Sequence, residues 1–178
     1  QWLERLRSGG ARAQQCPSLG ENRAHALEVF LSMERVLPAV EVTQHPVCGQ
    51  VGRLEINGPG PQSPVLVTGN ALATQEVVLA VLSTTDAPFH VLFVDCLGHT
   101  VDMAMIYRTF TPQAIYRAID GSGLNSAVSH RELIIPGLAA SLKRPMEALG
   151  DWRATVGPVC VGELPLFLGK SWTRPRGK

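Results

Sequence analysis

The sequence predicts an α/β fold built on a mostly parallel sheet with helices on both faces, extended by an N-terminal helix and short extra strands. Three observations carry this reading. Short, continuous apolar runs recur at Val65 to Thr68, His90 to Asp95 and Glu132 to Ile135. Helical patterns separate them, and parallel strands need such crossovers, which bury both sheet faces. Finally, each run ends in a small or polar loop of the kind that marks a strand's carboxyl edge, where ligands bind in such sheets.

Taken in order, residues 1–20 mix Arg, Gly, Gln, Pro and Ser with little periodicity. They read as a mobile lead-in, with one short turn of helix at Trp2 to Leu6. Asn22 fits a helix N-cap, and Ala26, Leu27, Phe30, Met33 and Leu37 recur at helical spacing until Pro38 stops the pattern. One helix over Arg23 to Leu37 is expected. Val40 to Val42 and Val51 to Ile56 are short strand candidates, separated by the His45-Pro46 turn. The breaker cluster Asn57 to Pro64 is the expected internal boundary, so residues 21–60 form an N-terminal helix and strands packed on a core over 61–168.

Within that core, helices are expected over Thr74 to Leu82, from Val101 and from Thr111. Thr111-Pro112 is a strong start signal, a hydroxyl N-cap followed by a proline whose missing N–H costs nothing there. Leu138 to Leu149 should be the helix after the third strand. Ala154 to Val156 is a weaker fourth strand, followed by a helical segment over Val159 to Leu168. Residues 169–178 read as a solvated basic tail.

Composition excludes several classes. The chain has 178 residues, 45% of them hydrophobic, and a net charge of +1, so one core is affordable and no basic field invites nucleic acid. No apolar run is long enough to span a bilayer, so no membrane segment is expected. Cys16, Cys48, Cys96 and Cys160 lie far apart, against a structural zinc or iron-sulfur site, and Cys96 and Cys160, in or beside apolar runs, read as the reduced core thiols expected of a cytoplasmic protein. Phosphate-loop, GxSxG and HExxH signatures are absent, which disfavours a flavin or nucleotide site. His25, His45, His90, His99 and His130 show no metal-ligand spacing and read as loop or capping residues. Asp95 and Asp102 flank the second loop and read as an Asx turn or helix cap.

Four blocks together carry a resemblance: Ser63-Pro-Val-Leu-Val-Thr-Gly-Asn70; Phe93-Val-Asp-Cys-Leu-Gly98 with a helix ending at Thr109-Phe110-Thr111; His130-Arg-Glu-Leu-Ile-Ile-Pro-Gly137; and Val156-Gly-Pro158. In order and spacing they resemble the corrinoid-binding domain of the corrinoid iron-sulfur protein large subunit, of the gamma/delta family serving carbon monoxide dehydrogenase/acetyl-CoA synthase. The corrinoid protein of mercury methylation shares this domain. The match covers roughly residues 61–168.

The resemblance implies a Rossmann-like domain holding a cobalamin-type corrinoid, base-off, as a methyl carrier in the one-carbon chemistry of the acetyl-CoA pathway. It implies a component of a corrinoid-dependent methyltransferase system, with a methyltransferase and a reductive activator as partners. It places Thr68, Asn70, Leu72 and Thr74 on the first corrin-facing loop. Gly98, Thr100, Val101, Met103, Ala104 and Tyr107 fall beneath the ring, and Pro136, Gly137, Leu138, Gly157 and Pro158 along its rim. A corrin is a large, mostly apolar disc with peripheral amides, and such loops suit it.

Met103 takes the position below the cobalt, where a thioether is a soft, neutral and weak donor. Without the family, Met103 and Met105 read as core methionines on a short helix. Met105-Ile-Tyr-Arg108 stands where the family has small residues and Gly-Lys, and Gly69 where it has a polar or small side chain. Helical spacing puts Ile106 and Tyr107 on the face of Met103, toward the ring. The family's four-cysteine cluster module is missing, so no iron-sulfur cluster is expected in this chain, and no histidine ligand. A corrinoid storage or chaperone module, and an interaction domain that no longer binds corrinoid, are the alternatives.

Overall fold

The computed structural model describes residues 2–7, 12–40 and 45–176. Five strands form one sheet: β1 (Gly52–Ile56), β2 (Val65–Gly69), β3 (Phe89–Val94), β4 (Glu132–Ile135) and β5 (Arg153–Val156), in the spatial order β1-β3-β2-β4-β5. β1 runs antiparallel to β3, and the other pairings are parallel. β2 and β3 are buried along their whole length, as strands covered on both faces must be.

Alternation along the strands sorts side chains into two layers. Val65 and Val67 of β2, Leu92 and Val94 of β3, and Leu133 and Ile135 of β4 share one buried cluster with Ile115, Ile119, Leu124, Met146 and Trp152. Leu66, Phe89, Val91 and Phe93 face the other way, against Val78, Val81, Leu82, Leu164 and Trp172. The first layer is built by α5 (Val101–Ile106), α6 (Pro112–Gly121), α7 (Leu124–Ala127) and α8 (Lys143–Leu149). The second is built by α2 (Glu21–Leu31), α4 (Leu72–Leu82) and α9 (Leu164–Leu168). The chain steps from β2 to β3 in one direction and returns past β2 to β4 in the other. Crossovers of one hand therefore put α4 and α5–α8 on opposite faces.

The strongest local signals hold. The Thr111 hydroxyl caps α6 by accepting the Ala114 N–H at 3.2 Å, with Pro112 next. β4 spans the residues expected of it, and α4 begins two residues earlier than expected, at Leu72.

Elsewhere the packing departs from the sequence reading. The expected helix over Arg23 to Leu37 is two helices, α2 and α3 (Met33–Val36), broken at Ser32, whose hydroxyl donates to Val29 O at 3.0 Å. Gly20, not Asn22, is the N-cap; the Asn22 amide instead donates to Lys170 O at 2.7 Å. Val40 is not in a strand, and Glu41 and Val42 lie outside the described residues. The segment expected as one helix over Leu138 to Leu149 is a 3-10 stretch, Gly137–Leu142, followed by α8, because Pro145 cannot donate a bond back into a continuous helix. Val159 to Leu168 is likewise a 3-10 turn, Val161–Glu163, and then α9.

Both ends pack on the body. Within the lead-in, α1 (Trp2–Arg7) and a 3-10 turn at Ala13–Gln15 contribute Leu6 and Ala13 to a buried cluster with Ala24. At the other end Trp172 is fully buried, 6.1 Å from the Phe89 ring, and Arg174 pairs with Glu28 at 2.8 Å. The expected boundary at Asn57 to Pro64 is a loop within one sheet, since β1 on its far side pairs with β3. Asn57 anchors that loop by donating to Thr85 O and Ala87 O at 2.8 and 2.9 Å. Among the described residues no helix is long and apolar enough to cross a membrane.

Candidate functional site

The parallel strand order reverses between β2 and β4, the point where an open α/β sheet leaves a crevice. Only one residue pair, Leu66 with Ile134, joins these strands, against five between β2 and β3. Beyond it the strands part, and a cavity of about 410 Å³ opens at their carboxyl ends. Of the residues expected from sequence, Thr68, Thr74, Thr100, Val101, Pro136, Leu138, Gly157 and Pro158 line it. Asp102 is the single charged residue on its walls.

A second cavity of about 600 Å³ adjoins the first, sharing Val40, Ala73 and Thr100 with it. Leu72, Gly98, Met103 and Tyr107 line this one, together with Glu76, His99 and the strap His45-Pro46-Val47. Met103 is half-buried and Tyr107 exposed, with the His99 and Tyr107 rings 4.8 Å apart and tilted by 38°. Ile106, 70% exposed, lines neither cavity. The bulk expected to press toward a ring is therefore that of Tyr107 alone.

Three expected residues stand behind these walls. Asn70 is 1% exposed; its Oδ1 accepts the backbone N–H groups of Cys96 at 2.7 Å and Gly98 at 3.3 Å, and its Nδ2 donates to Asp95 Oδ1 at 3.4 Å. Its role in the geometry is to hold the second loop, not to line a cavity. Ala104 is fully buried in the core beneath α5. Gly137 lies so close to the β5 loop that a Cβ would come within 2.7 Å of Val159 N, and its N–H donates to Pro158 O at 2.9 Å.

The second loop takes its shape from local chemistry. Asp95 accepts the Leu97 N–H at 3.0 Å in an Asx turn, and Leu97 and Gly98 both have positive φ, 58° and 74°. At Gly98 a Cβ would lie 2.7 Å from Val47 C and 2.8 Å from Cys48 N, so glycine is what lets the strap cross there. Gln75 holds the chain just after the strap, accepting from Gln50 N at 2.9 Å and donating to Gln50 O at 2.5 Å. At the start of α5, Thr100 donates to Asp102 Oδ1 at 2.5 Å. That bond holds the Asp102 carboxyl below its ordinary pKa.

Sequence reasoning missed the strap and the deep wall. No periodicity marks His45 to Val47; this segment and the residues after it are tied to the site by an isolated bridge between Cys48 and Ala71, by Leu72 N donating to Val47 O and by Gly49 N donating to Asn70 O. Leu66, Val78, Val91 and Leu164, which the sequence reading gave no site role, also line the first cavity. Among the described residues no three His, Cys, Asp or Glu side chains gather to hold a metal ion, and the four cysteines are unpaired.

Residues 30–168 match the family described as CO dehydrogenase/acetyl-CoA synthase delta subunit. The match starts well before residue 61 and takes in β1 and the strap. The chain is also similar to gamma subunits of the acetyl-CoA decarbonylase/synthase complex. The one from Methanopyrus kandleri is 35% identical over 119 residues, 67% of this chain and 26% of the relative. Those from Archaeoglobus fulgidus and Methanosarcina acetivorans are 32% identical over 127 residues and 30% over 153, covering 71% and 83% of this chain but 27% and 33% of the relatives. The chain thus spans between a quarter and a third of the length of these curated relatives. With 139 of its 178 residues inside that match, this chain belongs to the CO dehydrogenase/acetyl-CoA synthase delta subunit family.

Proposed function

We propose that this domain binds a corrinoid across the two adjoining cavities and acts as the methyl-carrier component of an acetyl-CoA decarbonylase/synthase system. The observation that carries the reading is the convergence of twelve of the fifteen residues expected from the resemblance on one pair of adjoining cavities at the β2/β4 switch point.

The chemistry of the walls fits such a ligand. The first cavity is apolar but for three threonines and Asp102, which suits the face of a hydrocarbon-rich disc. The second is more polar, with Glu76, His45, His99 and Tyr107 available to amide side chains at the ring's edge. Met103 would pack beneath the ring, with Thr100 at the junction of the cavities. When bound, a corrinoid supplies a cobalt able to accept and pass on a methyl group. The protein's own part is to bind and orient the disc, to keep water from its lower face, and to leave the upper face to a methyltransferase and a reductive activator. Ile106 lines neither cavity and Tyr107, which lines the second, is exposed, so both cavities stay open beside the bulk that the interaction-domain alternative would use to close them.

The test is an anaerobic absorption titration of the purified chain with hydroxocobalamin. One cobalt retained per chain through gel filtration, with a base-off spectrum and uptake of a methyl group after reduction, is the expected outcome. Retention without methylation would mark a storage module. Loss of all cobalt on the column would overturn the reading.

A further inference from the structure

The charges on the cavity walls are of one sign. Among the described residues that line the two cavities, Asp102 and Glu76 are acidic, and none is lysine or arginine. Neither carboxylate forms an ion pair with a described lysine or arginine; Arg53, Arg131 and Arg174 pair instead with Glu55, Asp151 and Glu28. Both line a cavity and are exposed, so they stand at the rims and not on the floors.

Helix chemistry accounts for one of them at most. Asp102 is in the first turn of α5, where a negative charge suits the helix dipole, but Glu76 lies past the first turn of α4. Asp102 is also held in place. Thr100, which lines both cavities, donates its hydroxyl to Asp102 Oδ1 at 2.5 Å, a bond that favours the ionised carboxyl.

An ionised carboxylate can only accept hydrogen bonds, so a ligand group set against it must donate one. The rim side chains of a corrin end in amides or, before amidation, in carboxylates. An amide N–H meets Asp102 or Glu76 as a charge-assisted donor. A rim carboxylate has no proton to give at neutral pH and adds like-charge repulsion, which no lysine or arginine on the described walls offsets.

We propose that Asp102 and Glu76 make this a site for the fully amidated corrin ring and turn away corrins whose rim carboxylates are free. This rests on the corrinoid reading above and adds the substrate class to it. The apolar first cavity suits the disc whatever its rim carries; the two carboxylates decide which rim is accepted. An amide-forming reaction on the ring must therefore precede its loading onto this chain.

The probes are cobinamide, whose rim is amidated, and cobyrinic acid, whose rim is carboxylated; neither carries a nucleotide. Equilibrium dialysis of the full chain at pH 8 in low salt, with cobalt assayed on both sides, gives a dissociation constant for each. Cobinamide should bind about tenfold more tightly, and the ratio should shrink as salt is raised. Asp102→Asn and Glu76→Gln, both isosteric changes at exposed positions, should each tighten cobyrinic acid by roughly threefold. Together they should bring the two ligands close to parity. Tighter binding is a readout that damage to the fold does not produce. Cobinamide bound by a wild-type chain that holds cobyrinic acid equally well, or a preference that the double variant leaves intact, would overturn the carboxylate filter and leave corrinoid binding standing. Failure of the wild-type chain to bind either probe would overturn the corrinoid reading and the filter together.

Discussion

The side-chain oxygen of Asn70, at the end of β2, accepts the backbone N–H of Cys96, at the end of β3, at 2.7 Å. One buried amide thereby joins two strand ends and the loop that supplies Gly98, His99 and Thr100 to the cavities. Replacing Asn70 with Ala would leave the Cys96 and Gly98 donors unsatisfied, at a cost of roughly 1–3 kcal/mol. Asn70→Asp keeps an acceptor but sets a carboxylate against Asp95. Its stability should recover as pH falls, because protonation relieves a repulsion that exists only in the folded state. Urea midpoints at pH 7 and pH 4 test both; an Asn70→Ala midpoint equal to wild type would remove the latch.

Gly98 and Gly58 form a matched pair for isolating the strap. Both have positive φ, but a Cβ at Gly58 meets nothing within 4 Å, while at Gly98 it meets Val47 and Cys48 backbone. Gly58→Ala should cost roughly 1–2 kcal/mol for the left-handed backbone alone. Gly98→Ala should cost clearly more, and equal losses in thermal unfolding would mean the strap yields freely.

Cys96 is the thiol to follow with pH. Burial pushes it from an ordinary 9.0 up to about 11, with the Asp95 charge adding to the effect. Because the folded state keeps the proton that the unfolded state releases, this contribution to stability is full below pH 9 and declines between pH 9 and about 11. Cys96→Ala should flatten that decline. In alkylation followed by peptide mapping at pH 8, Cys48 and Cys160, both exposed, should label in the native protein and Cys96 only after unfolding. Rapid native labelling of Cys96 would contradict its burial.

Trp172 contradicts the idea of a free tail, and its removal measures how far. Trp172→Ala should cost about 3–5 kcal/mol, as for other large buried aromatics. Trp172→Phe should cost much less, since the indole N–H it removes is buried without a partner. Calorimetry of the two variants distinguishes packing from hydrogen bonding at this position; a neutral Trp172→Ala would mean the tail contributes nothing.

Much of the fold was legible because its signals are local. The apolar run of β4, the Thr111-Pro112 start and the breaker cluster at Asn57 to Pro64 act within a few residues, through propensity, capping and backbone geometry. Twelve of the expected positions line the two cavities because the carboxyl ends of neighbouring parallel strands lie on one edge of the sheet. What stayed hidden depends on contacts between distant segments. Ser32 breaks a helix whose apolar spacing continues past it, and Trp172 is buried because Phe89 and α2 offer it a surface. The strap at His45 to Val47 meets Gly98 across some fifty residues of sequence.

The alternation of strands and helices, the small-residue loops at the carboxyl edge and the chemical types available there all follow from the linear order of residues. Which of those residues face a cavity was set by packing between segments distant in the chain. Asn70 and Ala104 turn inward, Ile106 turns outward, and His99 is brought against the Tyr107 ring at the edge of the second cavity. Burial and hydrogen-bond saturation belong to the packed arrangement, in which each polar group must find a partner or face a cavity.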